Sequence, residues 1–456
     1  RKLFASLMLA ALSLASFAAE QFIVKDGKPN AQIVIAAENR PRMATLAALE
    51  LQRGIQKISG ARLPIVTSPD ASIPVKIYVG KSPEAEKLGI KTDDLKYGAF
   101  KIASGADYLA LLGNDKDFLP NKLTPLKRGD PKPVEEWKKL TADKTKGAWQ
   151  FPDAGTYKLF WNPKDFSKVL DEYYGEGSAV LWTSGGNSTN GFWLCDSAGS
   201  INAVMDFLYG LGVRFYMPGE LGDIIPQISS ITLPRVNRTV IPDYPCRRWE
   251  WYNYGTFPLE EVLWAFRLGM NDGVGYYTGT HGLNKIHESP ETKKAHPEFY
   301  ALIGGQRDTE HRGIGTPCLS SKGLFHETVN YCRFMFDELD SQAVDIWPVD
   351  GLKPCQCETC KGKATNELVW NFVNRVATET YKTHPDRVVN CGAYSSYKEA
   401  PDGIEKFSPN VMVSIYNYGR CRFLDEDRWN YYTQNIDKWA SKLGPNRIRR
   451  AENNLH

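Results

Sequence analysis

At 456 residues the chain exceeds one ordinary domain, so two or more hydrophobic cores are expected. A content of 42% hydrophobic and 24% charged residues is that of a globular protein. The net charge of +3 supplies no strong pull toward nucleic acid or an anionic membrane, which excludes both as primary partners.

The first 19 residues read as a targeting segment. Arg1-Lys2 is a positive start, Leu3 to Leu14 is apolar, and Ser16-Phe17-Ala18-Ala19 supplies small residues before Glu20. That is the pattern of a cleavable secretory signal peptide, with an apolar part too short to span a bilayer. No later window carries eighteen uninterrupted apolar residues, so no membrane span is expected. The predicted location is secreted or periplasmic.

Residues 20–240 read as a small α/β domain. Ala31–Ala36 is a strand; Met43, Ala47, Leu51, Ile55 and Ile58 then recur at near-helical spacing until Gly60. Leu63–Val66 and Val75–Val79 are β-rich, and Gly98–Ala103 with Tyr108–Gly113 flank a turn as a hairpin. Residues 114–190 are dominated by Lys, Pro, Asp and Gly and are expected to form a long insertion with little regular structure. After it, Ile201, Val204, Met205 and Leu208 mark a helix closed by Gly210 and Gly212.

Residues 241–456 alternate strands and helices more regularly. Strands are expected at 246–252, near 271–277, and at 344–349, 387–393 and 411–416, with helices around 323–339, 366–381 and 428–443. Such alternation predicts parallel crossovers and a (β/α)8-type barrel. The count reaches five strands, six if one hides in 296–320. A complete barrel needs eight, so the barrel is expected to be incomplete at its C-terminal side.

Two groups of residues resemble known families. Pro41–Gly60 with KIYVG (76–80) and GSINAVMDFLYGLGVRFYMPGE (199–220) is similar to the N-terminal domain of α-glucuronidase-type and hexosaminidase-type glycoside hydrolases. HPEFYAL (296–302), PCLS (317–320) and Asp350-Gly351 with Cys355-x-Cys357-x-x-Cys360 resemble a glycoside-hydrolase-like domain of unknown function found in secreted bacterial proteins. The resemblance implies carbohydrate hydrolysis on an oligo- or polysaccharide and assigns no residue a role.

Glycoside cleavage needs two carboxylic acids facing one bond, ~5–5.5 Å apart for retention or roughly 6.5–9.5 Å for inversion. Barrel catalytic groups sit where strands end. Asp350 ends the run 344–349 and is the first candidate as general acid or base; capping of its own turn is the plainer alternative. Glu250, late in the first barrel strand, and Asp272, at the start of the second, are candidate partners. His281 could bond a sugar hydroxyl. Trp249, Trp251, Tyr394, Tyr416 and Asn417 stand at strand ends where aromatic and amide groups would line a sugar pocket. The competing reading is a non-catalytic glycan-binding protein on the same scaffold.

Nine cysteines, an odd count, leave at least one thiol unpaired, metal-bound or bridged to another chain. Cys355, Cys357 and Cys360 have spacing open to structural zinc, given a fourth ligand such as Cys318 or Cys391; a loop disulfide with spare thiols is the alternative. No cofactor is required by the proposed chemistry.

Overall fold

The computed structural model describes residues 20–124, 129–151, 160–161, 163–186, 191–193, 195–243, 247, 259–270, 281–417 and 425–452. It is a mixed α/β protein with two large cores. Glu250, Asp272, Trp249 and Trp251 lie outside the described residues, as does the targeting segment. No helix among the described residues is long and apolar enough to cross a membrane.

The first core forms around the helix Arg42–Ser59, whose Met43, Ala47, Leu51, Ile55 and Ile58 are buried, as their spacing predicts. It packs against the helix Gly199–Gly210 through Ile201, Val204 and Leu208. A six-stranded mixed sheet lies beneath, in the order Asn237–Val240, Phe100–Ser104, Tyr108–Gly113, Val75–Val79, Ala31–Val34, Ile65–Val66. The predicted hairpin is its antiparallel pair 100–104 and 108–113; strands 108–113, 75–79, 31–34 and 65–66 run parallel.

The insertion departs from expectation. Helices Lys132–Thr141, Phe166–Tyr174 and Ser178–Ser184 occupy it. Widely spaced apolar anchors in a polar background order it: Phe166, Leu170, Tyr174 and Trp182 enter the first core, while Leu123, Val134, Trp137 and Phe151 enter the second. Composition averaged over the segment hides such anchors. The insertion therefore ties the two cores together.

In the second core, strands Ala343–Asp345, Val388–Ala393, Val411–Asn417 and Ile448–Glu452 form a parallel sheet in chain order. The last of these went unpredicted. Helices Lys322–Asp337, Thr365–Tyr381 and Glu426–Leu443 accompany it. Between 296 and 320 there is no barrel strand but an antiparallel hairpin, Leu302–Ile303 with Gln306–Arg307. The four strands do not close into a ring among the described residues. Segment 281–283 runs along the near edge: the Leu283 N–H donates to the Trp347 carbonyl at 3.0 Å. Gly282 lies so close to Asp345 that a Cβ there would sit 2.0 Å from its carbonyl oxygen, which leaves no room for another residue.

His287, beside the Tyr300 ring, is fully buried with neither ring nitrogen hydrogen-bonded among the described residues. Burial, with Lys146 and Lys293 nearby, pushes it down to about 3. Only the unfolded chain can then take up a proton between the ordinary histidine value and pH 3. Stability from this group is complete at neutral pH and falls as pH drops below ~6.5, by about 2 kcal/mol at pH 5. Urea midpoints at pH 7.5 and 5.0 should show that loss in the parent and its absence in His287→Phe. Equal pH slopes would refute it.

Candidate functional site

Alternation along the parallel strands gives the sheet two different faces. Val344, Ile346, Val389, Cys391, Ala393, Val411, Val413 and Ile415 are buried apolar residues of the second core. The other face carries Asp345 and Trp347, then Asn390, Gly392 and Tyr394, then Ser414 and Tyr416, with Asp345 paired to Asn390 and Gly392 to Ser414. Its lower layer is a buried hydrogen-bonded chain. Asn390 Nδ2 donates to Asp345 Oδ2 at 2.9 Å, and Ser414 Oγ donates to Asn390 Oδ1 at 3.1 Å. Hydrogen bonds satisfy polar groups that burial would otherwise penalise.

Above it lies an aromatic layer toward the strands' C-terminal ends. Trp347 meets Tyr416 edge-on at 4.9 Å between ring centroids, and Tyr394 at 6.2 Å. His281 stands 6.0 Å from both Trp347 and Tyr394. Gly392 makes room for the indole: a Cβ there would lie 2.3 Å from Trp347 ring atoms. Gly392→Ala must displace that ring, at a cost of roughly 1–3 kcal/mol. The expected result is a lower urea midpoint with shifted tryptophan emission; an unchanged spectrum and midpoint would contradict this packing.

Asp350 closes the site. Tyr394 donates its hydroxyl to Asp350 Oδ1 at 3.0 Å, and Arg312 Nη1 lies 3.1 Å from Oδ2. The carboxylate is 36% exposed, so water and ligand can reach it. Burial, followed by the bond to Asp350, raises the Tyr394 phenol. His311 Nε2–H donates to the Asp350 carbonyl at 3.3 Å. His281 Nδ1 lies 2.6 Å from the Pro348 carbonyl, which can only accept. Nδ1 therefore carries the proton, and Nε2 of the neutral ring is left as an acceptor. Trp347 Nε1–H and the Tyr397 hydroxyl are buried donors without a partner among the described residues.

Of the residues singled out in the sequence, Asp350, His281, Tyr394 and Tyr416 thus come together. Asn417 ends its strand, paired in register with Glu452. The sequence reading missed Arg312 and Trp347, whereas it placed Tyr397 with Tyr394 as lining the same cleft. Trp347 was legible, two residues beyond Asp345 on the same face. Arg312 arrives from the loop after the 302–307 hairpin, and no local pattern announces it.

The three cysteines of the C-x-C-x-x-C run meet Cys318, and all four sulfurs lie within 4.8 Å of one another. Cys391, the other fourth ligand considered, is buried on the apolar face and is not in the group. The Cys318 thiol is pulled down to about 4, first by its hydrogen bond with Cys360, and that bond raises Cys360.

Residues 217–443 match the model of a family described as Domain of unknown function (DUF4838). No curated protein matches the chain. Among solved structures, a family GH115 4-O-methyl-α-glucuronidase with specificity for decorated arabinogalactans is 12% identical, with a TM-score of 0.41. That match covers 95% of this chain and 55% of the other, so the chain spans about half its length. A GH20 β-N-acetylhexosaminidase from Streptomyces coelicolor A3(2) is 9% identical over 92% of this chain and 71% of its own, TM-score 0.35. The N-acetyl-β-hexosaminidase of Streptomyces plicatus is 8% identical over 88% and 68%, TM-score 0.29. At these scores the likeness carries no inference about activity.

Proposed function

We propose that this protein is an exported carbohydrate-active enzyme that hydrolyses a glycosidic bond, with Asp350 as one of its two catalytic carboxylates. One observation carries the reading: an accessible acid in the turn beyond strand Ala343–Asp345, both oxygens engaged, beside Trp347, Tyr394, Tyr416 and His281. Aromatic faces suit the C–H faces of a sugar ring. His281 Nε2 would accept from a sugar hydroxyl, while Trp347 Nε1–H and the Tyr397 hydroxyl are donors for sugar or water oxygens.

Asp350 accepts from Tyr394 and pairs with Arg312, which suits the accepting half of the acid/base pair. In that role it takes the proton of the attacking water, or attacks the anomeric carbon itself. The other half, a protonated acid that gives its proton to the leaving oxygen, would come from Glu250 or Asp272. The test is reducing-sugar release from a panel of oligo- and polysaccharides by the purified chain. Turnover on at least one glycan is expected. Glycan binding without turnover anywhere on the panel would overturn the enzyme reading in favour of sugar recognition alone.

A further inference from the structure

The four-cysteine cluster lies beside the loop that leaves Asp350, yet the proposed chemistry does not use it. Cys355 and Cys318 sulfurs are 3.7 Å apart, and those of Cys318 and Cys357 are 3.9 Å apart. A disulfide needs sulfurs about 2.05 Å apart. Four sulfurs at about 2.3 Å from one tetrahedral zinc ion lie about 3.8 Å from each other, close to the separations seen. Cys318, Cys355 and Cys360 are buried, in a small apolar nest with Ala301, Leu302, Ile303 and Leu368.

Polar groups around the sulfurs supply a second, independent observation. The Leu302 N–H donates to Cys355 Sγ at 3.3 Å. Ser320 Oγ stands 3.3 Å from Cys318 Sγ and 3.4 Å from Cys357 Sγ. Hydrogen bonds donated to sulfur favour the thiolate, the form that binds metal. A tight turn also shapes the run, with the N–H groups of Cys360 and Lys361 both donating to the Cys357 carbonyl.

We propose that Cys318, Cys355, Cys357 and Cys360 bind one zinc ion as a closed structural centre. An all-sulfur tetrahedral donor set selects a soft metal over calcium or magnesium. Zinc binding replaces the thiol protons and changes no oxidation state. The ion clasps two segments that are distant in sequence, Pro317–Ser321 and Cys355–Cys360. Between and beside them lie the groups that meet at Asp350. Lys353, on the loop leaving Asp350, pairs with Asp308 at 3.1 Å, and Thr316 bonds the same carboxylate at 2.8 Å. His311 and Arg312 follow on the same stretch and reach Asp350. The clasp therefore positions the Arg312–Asp350 pair, and it stands whether or not the hydrolase reading holds.

Elemental analysis of the purified full-length chain should find stoichiometric zinc. A mercurial that blocks thiols should release it to a chromophoric chelator. Cobalt(II) exchanged for zinc in the unmutated protein should show thiolate-to-cobalt charge transfer with tetrahedral d–d bands, a readout that needs no variant to fold. Cys318→Ser should lose zinc, whereas Cys391→Ala should keep it. After chelation, new protease cleavage should concentrate in 302–320 and 351–363. The proposal fails if the protein holds no stoichiometric zinc, if mass mapping finds disulfides among the four cysteines, or if cobalt gives no thiolate band.

Discussion

Asp350→Asn should lower kcat by roughly 10²–10⁴-fold, the range for loss of a positioned acid or base. Glycan affinity should stay within a few-fold of the parent, because the amide keeps the carboxylate's shape. Its oxygen can still accept from the Tyr394 hydroxyl, now at 3.0 Å, so the aromatic layer has no reason to move. What is lost is the charge facing Arg312 and the ability to take a proton or attack carbon. A fall in kcat with unchanged binding is the signature of an interaction made only in the transition state. In Asp350→Ala, which vacates the carboxylate's space, azide should restore part of the turnover if Asp350 acts as base or nucleophile. Wild-type turnover in Asp350→Asn would remove Asp350 from the chemistry. An equal loss of binding would instead make it a substrate-holding residue.

Much of this site could be read from chain order because parallel strands bring their C-terminal ends to one place. Tyr394 follows strand Val388–Ala393, and Tyr416 lies near the end of Val411–Asn417. Asp350 lies in the turn beyond Ala343–Asp345, a strand shorter than the expected 344–349; a shared C-terminal side predicts their meeting. Alternation would also have separated the two candidate fourth cysteines. Cys391 sits between Asn390 and Gly392 and so faces the apolar side, while Cys318 lies on a loop free to approach. The helix Arg42–Ser59 was legible from apolar spacing, since burial of one helical stripe leaves a periodic record. Arg312 was not: its contact with Asp350 spans 38 positions and rests on how a hairpin loop packs, which no periodicity encodes. The insertion helices escaped for a related reason. Trp137, Phe166 and Trp182 order them from outside, through contacts with cores the segment itself does not build.

Glu50→Gln should destabilise the protein by about 3–5 kcal/mol, the cost of leaving one member of a buried ion pair without its partner. Glu50, on helix Arg42–Ser59, receives Arg267 Nε at 2.8 Å and Nη2 at 2.9 Å, and both side chains are at most 3% exposed. Tyr174, from the insertion, donates to Glu50 at 2.8 Å, and Arg267 donates to the Tyr173 hydroxyl at 3.0 Å. Burial alone would raise the Glu50 carboxyl, but the Arg267 guanidinium outweighs it and holds the group below its ordinary value. Its contribution is therefore complete above about pH 4.3, the unfolded carboxyl value, and is lost only as pH falls through the lower folded value. The network joins three segments: the first long helix, the insertion, and helix Leu259–Arg267, which leads toward the second core. A neutral amide at position 50 leaves the guanidinium charged and uncompensated in an apolar site. Replacing the set together, as Glu50→Leu with Arg267→Met and Tyr174→Phe, removes both buried charges and the buried Tyr174 hydroxyl. That triple variant should recover most of the loss, because a well-packed apolar substitute for a buried pair is often neutral and the Tyr173 hydroxyl it leaves without Arg267 is only half-buried. Urea midpoints of the parent, the single and the triple variants decide the matter. A single variant as stable as the parent would mean the pair is already solvated, and a triple variant no better than the single would mean packing, not charge, sets the cost.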